Sequence, residues 1–350
     1  MKVELKIGDR IIGEGHPVFI VAELSANHLQ KLDLAKETIK AMKKAGADAV
    51  KLQTYTPDTL TINSKKDYFK IKQGTPWDGH YLYDLYKQAY MPWEWHEELF
   101  DLARKLNLIC FSTPYERTAV DFLKKFNVPA YKIASFEVTD IPFIEYVASQ
   151  GKPVMISTGI ATLSDIEEAL TACRRVGNDQ VILLKCVSEY PTPLENVNLL
   201  TISDMRKRFG VLVGLSDHTR GISVPVASVA LGAVLIEKHF ILDRTIGGPD
   251  SAFSLEPREF SEMVKAVREV EKALGKPTYE LTEKQKKSRQ LARSLFVVRD
   301  VKKGEMFTEE NVRSIRPNYG LPPKYLKEIL GRRAKFDIEA GTPLTWEMIE

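Results

Sequence analysis

Two apolar stretches of this chain, residues 211–216 and 233–240, run into histidine: "VLVGLSDHT" carries His218 and "AVLIEKHF" carries His239. Residues two apart in a strand share a face, which aligns Ser216 with His218 and Glu237 with His239. Two neutral imidazoles on neighbouring strands form a ligand pair for a divalent metal, with water and substrate oxygens filling its other positions. One catalytic histidine beside a structural one is the alternative. The pair does not choose the metal, because imidazole also suits zinc, iron and nickel.

Six further strand-like runs end in polar residues: Glu23, Lys51 with Gln53, Ser112 with Thr113, Lys132 with Ser135, Ser157 with Thr158, and Ser188 with Tyr190. A single lysine at a strand end is often a solvated cap, and a single serine often satisfies nearby backbone. Eight polar ends out of eight point instead to one pocket. Lys51, Lys132 and the hydroxyls predict a cationic, donor-rich site for a phosphate or carboxylate, hence an anionic small-molecule substrate. A Schiff-base aldolase using Lys132 or Lys51 needs no metal, so chelation separates it from the histidine-pair reading.

These groups meet only if the strands that carry them close into a barrel. The runs 18–24, 49–54, 108–113, 130–135, 153–158, 180–188, 211–216 and 233–240 alternate with helical patterns such as "LDLAKETIKAMKKAG" and "EPREFSEMVKAVREVEKALG". Eight such pairs predict a (β/α)8 TIM barrel, whose usual size is about 250 residues and whose catalytic groups sit at the C-terminal strand ends. A doubly wound sheet is the alternative, but its glycine-rich first turn is missing, since the first strand ends "AELSANH". The aromatic segment from Tyr55 to Pro92 is too long for a plain loop and is expected over the barrel mouth, with Trp77 and Tyr81 as candidate substrate-lining residues.

The barrel domain is assigned to residues 1–278, a polar linker or helix to 279–291, and a small β-rich domain to 292–350. That tail repeats itself: "DVKKGEMFTEENV" (300–312) and "DIEAGTPLTWEMI" (337–349) share an Asp, a glycine expected at a turn, and an apolar residue that re-enters a core.

Across 350 residues, 44% are hydrophobic and 28% charged, as in a globular protein with a full core, and disorder is not expected. Lysine plus arginine, 50, nearly balance aspartate plus glutamate, 47, so no global field favours nucleic acid or an acidic membrane. No apolar run reaches the roughly 18 residues of a membrane span. Three scattered cysteines, Cys110, Cys173 and Cys186, read as small buried hydrophobes in a reducing, cytoplasmic compartment.

The ordered set "AELSANH", "VKLQT", "FSTPYE", "YKIASFEV", "ISTGIA", "SEYPTP", "GLSDHT", "EKHF" and "GGPDSAFSLEP" resembles the sialic acid synthase family of phosphoenolpyruvate-condensing enzymes, and the tail resembles that family's antifreeze-like (SAF) domain. The resemblance implies condensation of phosphoenolpyruvate with an open-chain acetamido sugar to give a nine-carbon 2-keto acid and phosphate. It implies that Lys51, Thr113, Lys132, Ser135, Ser157 and Ser216 hold phosphoenolpyruvate. His218 and His239 would ligate Mn2+ or Mg2+, with the catalytic Glu237 alongside. Gln53, Glu137, Ser188, Tyr190 and Asp250 would meet the sugar, and Arg316 would reach the partner's site in a domain-swapped homodimer. Glu23, at the end of the first strand, is expected to activate the attacking water or relay its proton.

Ser188 and Ser251 stand where sialic acid synthases carry Asn and His. With "AELSANH" and "LYDLYKQAYMPWEW", they resemble the pseudaminic acid synthase branch, whose sugar is 2,4-diacetamido-2,4,6-trideoxy-L-altrose. N-acetylneuraminate or legionaminate synthesis is the alternative within the family. A non-catalytic sugar-binding protein is the alternative outside it.

Overall fold

A computed structural model describes residues 4–350. The chain divides into two compact units, Met1–Gly275 and Lys276–Glu350. The first opens with an antiparallel hairpin, β1 (Glu4–Ile7) and β2 (Arg10–Gly13), that the sequence reading did not anticipate. Eight parallel strands follow: β3 (Phe19–Glu23), β4 (Ala49–Thr54), β5 (Ile109–Pro114), β6 (Tyr131–Ile133), β7 (Val154–Ser157), β8 (Val181–Lys185), β9 (Leu212–Asp217) and β10 (Leu235–His239). They pair in chain order, and β10 closes on β3, so the expected TIM barrel forms with strand limits shifted by at most three residues.

Strand alternation gives the barrel two cores. Outward residues such as Ile20, Val50, Ile133, Ile156, Leu183 and Ile236 pack under the surrounding helices. Inward residues at the N-terminal ends, including Phe19, Ala49, Phe111, Met155, Ile182 and Leu235, form a second, separate core with Ile7 and Ile12 of the hairpin. The hairpin is thus the floor of the barrel. Gly8 at its turn has φ +61, a left-handed conformation that a side chain opposes, and a Cβ there would also press on Ile109 at 3.1 Å. Above this floor each strand turns from apolar to polar on the same face, as in Phe19, Val21, Glu23 and in Leu235, Glu237, His239. The apolar half excludes water from below and fixes the polar half at one level.

The second unit holds a helix, Glu283–Arg289, and a two-stranded sheet, β11 (Ser294–Val297) with β12 (Val312–Ile315). The sequence repeat is a physical pseudo-symmetry. Val301 and Ile338 exchange backbone hydrogen bonds of 2.9 and 2.8 Å. Asp337 accepts the N–H of Lys303, and Asp300 accepts that of Ala340, each at 2.8 Å, so the aspartate of one repeat caps the turn of the other. Gly304 and Gly341 have φ +81 and +91, and Phe307 and Leu344 are buried in a shared core.

Candidate active site

The C-terminal strand ends open into a cavity of about 1250 Å3. Of the residues expected to act, Glu23, Lys51, Gln53, Lys132, Ser135, Glu137, Ser157, Ser188, Tyr190, Ser216, His218, Glu237, His239 and Asp250 all line it. Thr113 is not among the lining residues, but it stands opposite Gln53 in the register of β4 and β5, and its Oγ1 lies 3.3 Å from the Lys51 ammonium. Arg316 belongs to the second unit, just past the end of β12. Ser112 and Thr158 face outward, contrary to their reading as part of the polar ring. Ser112 bonds Thr54 at 2.6 Å, and Thr158 donates to the Leu184 carbonyl at 3.0 Å. Each neighbours an inward residue, and the two-residue period excludes both from one face.

Four charges form the centre. The Lys51 ammonium lies 2.9 Å from Glu23 and 3.3 Å from Glu237, and Lys132 lies 3.4 Å from Glu237. Two lysines face two carboxylates, so the centre is charge-balanced, and Glu137, Glu189 and Asp250 add further carboxylates to the lining, which corrects the expectation of a net cationic site. Each of the four is 2 or 3% exposed. Burial pulls Lys51 toward neutrality, but Glu23 and Glu237 outweigh it and hold the ammonium above its usual range. Burial wins at Lys132, with Lys51 repelling it, and its proton is held less tightly than normal. Glu23 is pulled up by burial, yet Lys51, His239 and Lys132 keep it well below the usual carboxylate range. Gln53 donates to its Oε1 at 2.8 Å.

The two histidines stand side by side with ring centroids 5.3 Å apart. Tyr190 packs on His218 at 4.4 Å, and Phe253 packs on His239 at 4.9 Å, which fixes both rings. His218 Nδ1 lies 3.0 Å from the Val187 carbonyl, a contact that requires the proton on Nδ1, so in the neutral ring the lone pair is on Nε2. His239 Nδ1 is buried without a hydrogen-bond partner. Among the described residues no cluster of three or more His, Cys, Asp or Glu donors converges as a closed metal cage. Two imidazoles are fewer than the three protein ligands of a usual catalytic ion, so a divalent cation held here would take its remaining positions from water and substrate oxygens.

Several lining residues escaped the sequence reading. Cys186, read as a small buried hydrophobe, is buried but faces the cavity, its sulfur 3.6 Å from Ser135 Oγ and 3.8 Å from His218 Nδ1. Its place two residues beyond Leu184 was legible from strand alternation. Ser25 reaches the cavity from a left-handed backbone position, φ 50, and its hydroxyl donates to Asp250. Tyr55, Tyr86 and Tyr115 form an edge-to-face cluster in the wall, with centroids 5.1 and 5.9 Å from Tyr55. Phe253, which packs against His239 without itself lining the cavity, gave no local signal. Trp77 lines the cavity as expected and donates its indole N–H to the Pro249 carbonyl at 3.2 Å. Tyr81 is not among the lining residues, and its ring packs under Lys65 instead.

Residues 38–279 match the NeuB family model and residues 292–350 match the SAF domain. The chain is 51% identical to the pseudaminic acid synthase of Helicobacter pylori over 95% of this chain and 98% of that one. It is 36% identical to the N,N'-diacetyllegionaminic acid synthase of Legionella pneumophila, over 97% and 96% of the two chains. The crystal structure of N-acetylneuraminic acid (sialic acid) synthetase from Leptospira borgpetersenii in complex with citrate superposes with a TM-score of 0.74 at 32% identity, covering 82% of this chain and 95% of that one. The barrel, the polar strand ends and these likenesses agree: the chain belongs to the NeuB, or sialic acid synthase, family, on its pseudaminic acid synthase branch.

Proposed function

We propose that this chain condenses phosphoenolpyruvate with the open aldehyde form of 2,4-diacetamido-2,4,6-trideoxy-L-altrose and water, giving pseudaminic acid and phosphate. The observation that carries the reading is a set of buried polar atoms without partners that share one cavity. Ser157 Oγ, Ser188 Oγ, Glu137 Oε2, Glu237 Oε2 and His239 Nδ1 all belong to it. A buried polar group left unpaired costs about 1–3 kcal/mol, so such a set is retained for what binds there. The similarity to pseudaminic acid synthases supports the choice of sugar.

Lys51 and Lys132, with Ser135, Ser157, Ser216 and Thr113, would hold the phosphate and carboxylate of phosphoenolpyruvate. Gln53, Glu137, Ser188, Tyr190 and Asp250 would orient the sugar. His218 and His239 would hold a Mn2+ or Mg2+ ion, which when bound supplies Lewis-acid polarisation of the aldehyde oxygen. C3 of phosphoenolpyruvate then forms a bond to the aldehyde carbon, and positive charge develops at C2. Water adds at C2 and loses a proton, and the former aldehyde oxygen takes one up to become a hydroxyl. The phosphohemiketal breaks its C2–O bond, phosphate leaves with the bridging oxygen, and the C2 hydroxyl collapses to the ketone. Glu23, held ionised by Lys51, would activate the water or relay its proton, though as a weaker base than a free carboxylate. Its stronger contribution is to stabilise the charge at C2, while Lys51 and Lys132 stabilise the departing phosphate.

Arg316 of the partner subunit is proposed to complete the site in a homodimer, and a fully active monomer by light scattering would contradict that. The three cysteines are unpaired, in keeping with a reducing cytoplasm, and no helix among the described residues is long and apolar enough to cross a membrane. Phosphate release is measured with phosphoenolpyruvate, Mn2+ and, in parallel, the altrose sugar, the 2,4-diacetamido mannose sugar and N-acetylmannosamine, with and without EDTA. Chelator-sensitive release with the altrose sugar is expected. Release chiefly with another sugar overturns the substrate, and chelator-resistant release revives the lysine mechanism.

A further inference from the structure

The segment between β4 and β5 contains the helix Leu82–Ala89, whose apolar residues Leu82, Leu85, Tyr86 and Ala89 fall at i, i+3, i+4 and i+7. That spacing puts them on one face. Such a face normally covers a core. Here all four residues line the cavity instead. Leu82, Leu85 and Tyr86 remain half-buried, and none of the three belongs to the packed cores of the barrel. The helix therefore leaves apolar surface waiting for a ligand.

The wall is held before any ligand arrives. Tyr86 packs edge-on against Tyr55, which is 4% exposed and follows β4 directly. Gln30 donates to the carbonyls of Lys87 and Tyr90, at 2.9 and 3.2 Å, which fixes the C-terminal end of the helix to the loop after β3. Asp84, beside the stripe, is paired with Lys65. Trp77, four residues before the helix-start Tyr81, is tied to Pro249 beyond β10. The cavity is thus two-sided, with ions and imidazoles at the strand ends and an anchored apolar surface on this helix.

We propose that the Leu82–Ala89 helix determines sugar specificity, its Leu82, Leu85 and Tyr86 side chains receiving the methyl groups of a deoxygenated, N-acylated sugar while the aldehyde end lies toward the histidines. This rests on the proposed function above and names the residues that select its substrate. The altrose sugar carries three methyl groups, one at C6 and two on its acetamido groups. N-acetylmannosamine carries one, and it presents a hydroxymethyl group where the first has a methyl. Burying a methyl against leucine is favourable, and desolvating a hydroxyl there without a partner is not. A pocket of this kind discriminates by roughly 10- to 200-fold per group.

The test is kcat/KM for the altrose sugar and for N-acetylmannosamine in wild type, Leu85→Ser, Leu82→Ser and the conservative Leu85→Met, with thermal melts to confirm folding. The two serine variants should each lower the altrose-to-mannosamine ratio by about tenfold or more, chiefly through KM for the altrose sugar. KM for phosphoenolpyruvate should not move, and Leu85→Met should keep the wild-type ratio. Wild type active on the altrose sugar, with a ratio unchanged in both serine variants, overturns this inference alone. Wild type that uses N-acetylmannosamine and not the altrose sugar overturns the proposed function and the inference together.

Discussion

Two groups of buried charges lie one residue apart in this barrel and are treated oppositely. On the outward face of β10, the Lys238 ammonium, fully buried, donates to Asp217 and to the Thr219 carbonyl, and Asp217 accepts from the Thr219 N–H and hydroxyl at 3.1 and 2.9 Å. On the inward face, Glu237 and His239 flank the same lysine in sequence, yet Glu237 Oε2 and His239 Nδ1 have no partner. The outward pair has a donor for each acceptor and is a structural clamp: Lys238 stands opposite Asp217 in the register of β9 and β10, beside the two histidines. The inward group is left incomplete, and an incomplete buried group is where a substrate is expected. Burial alone does not distinguish function from structure, and neither does a single unmet atom, since Asn27 Oδ1, His28 Nε2 and Thr345 Oγ1 are unmet outside the cavity; the convergence of five unmet atoms on one cavity does.

The contrast predicts opposite losses. Lys238→Met leaves Asp217 buried without its counter-charge, with only its Thr219 hydrogen bonds remaining, and should cost about 3–5 kcal/mol of barrel stability in chemical denaturation, with much of it recovered in Lys238→Met/Asp217→Leu. Lys132→Met should do the reverse, lowering kcat/KM by about 10²-fold or more while the denaturation midpoint changes little, since Glu237 keeps Lys51 as a partner. A large stability loss at Lys132, or none at Lys238, would erase the distinction.

Glu137 offers a sharper version. Burial, partly offset by Lys132, raises its carboxyl to about 7 from an ordinary 4.5. Below pH 4.5 both folded and unfolded states hold the proton. As pH rises toward 7 the unfolded chain ionises first, so this group progressively destabilises the fold, and the penalty levels off above 7. Glu137→Gln should therefore gain stability relative to wild type across pH 4.5 to 7, by at most about 3 kcal/mol. If Glu137 contacts the sugar, wild-type KM for the sugar should change with a midpoint near pH 7, and the glutamine variant should lose that dependence. The smallest effect is expected at Ser157, whose hydroxyl is buried and unpaired. Ser157→Ala should leave stability unchanged or raise it by about 1 kcal/mol, and should raise KM for phosphoenolpyruvate.

Much of this was legible before the structure because a parallel barrel translates a two-residue period directly into position. The inward residues Glu23, Lys51, Lys132, Glu237 and His239 follow from strand ends alone, and the same rule, applied strictly, removes Ser112 and Thr158 and adds Cys186. The floor hairpin was not legible, since two four-residue strands bury only two side chains deeply, Ile7 and Ile12, and the residues they pack against come from the barrel strands. The Leu82–Ala89 helix has an ordinary amphipathic pattern, and sequence periodicity says that a face is covered without saying whether protein or ligand covers it. Saturation of buried charges is likewise tertiary: alternation sets Lys238 on the face opposite Glu237 and His239, but nothing in "SDHT" or "EKHF" says that Asp217 and the Thr219 carbonyl complete its hydrogen bonds.

The most direct test of the central claim, that the unmet inward groups bind and turn over phosphoenolpyruvate, is one turnover experiment with phosphoenolpyruvate labelled with 18O at its C2–O–P bridge. With the altrose sugar and Mn2+, mass spectrometry should find the label in the released phosphate, and a nine-carbon keto acid free of it. Label retained in the organic product, or no phosphate released at all, would contradict the account.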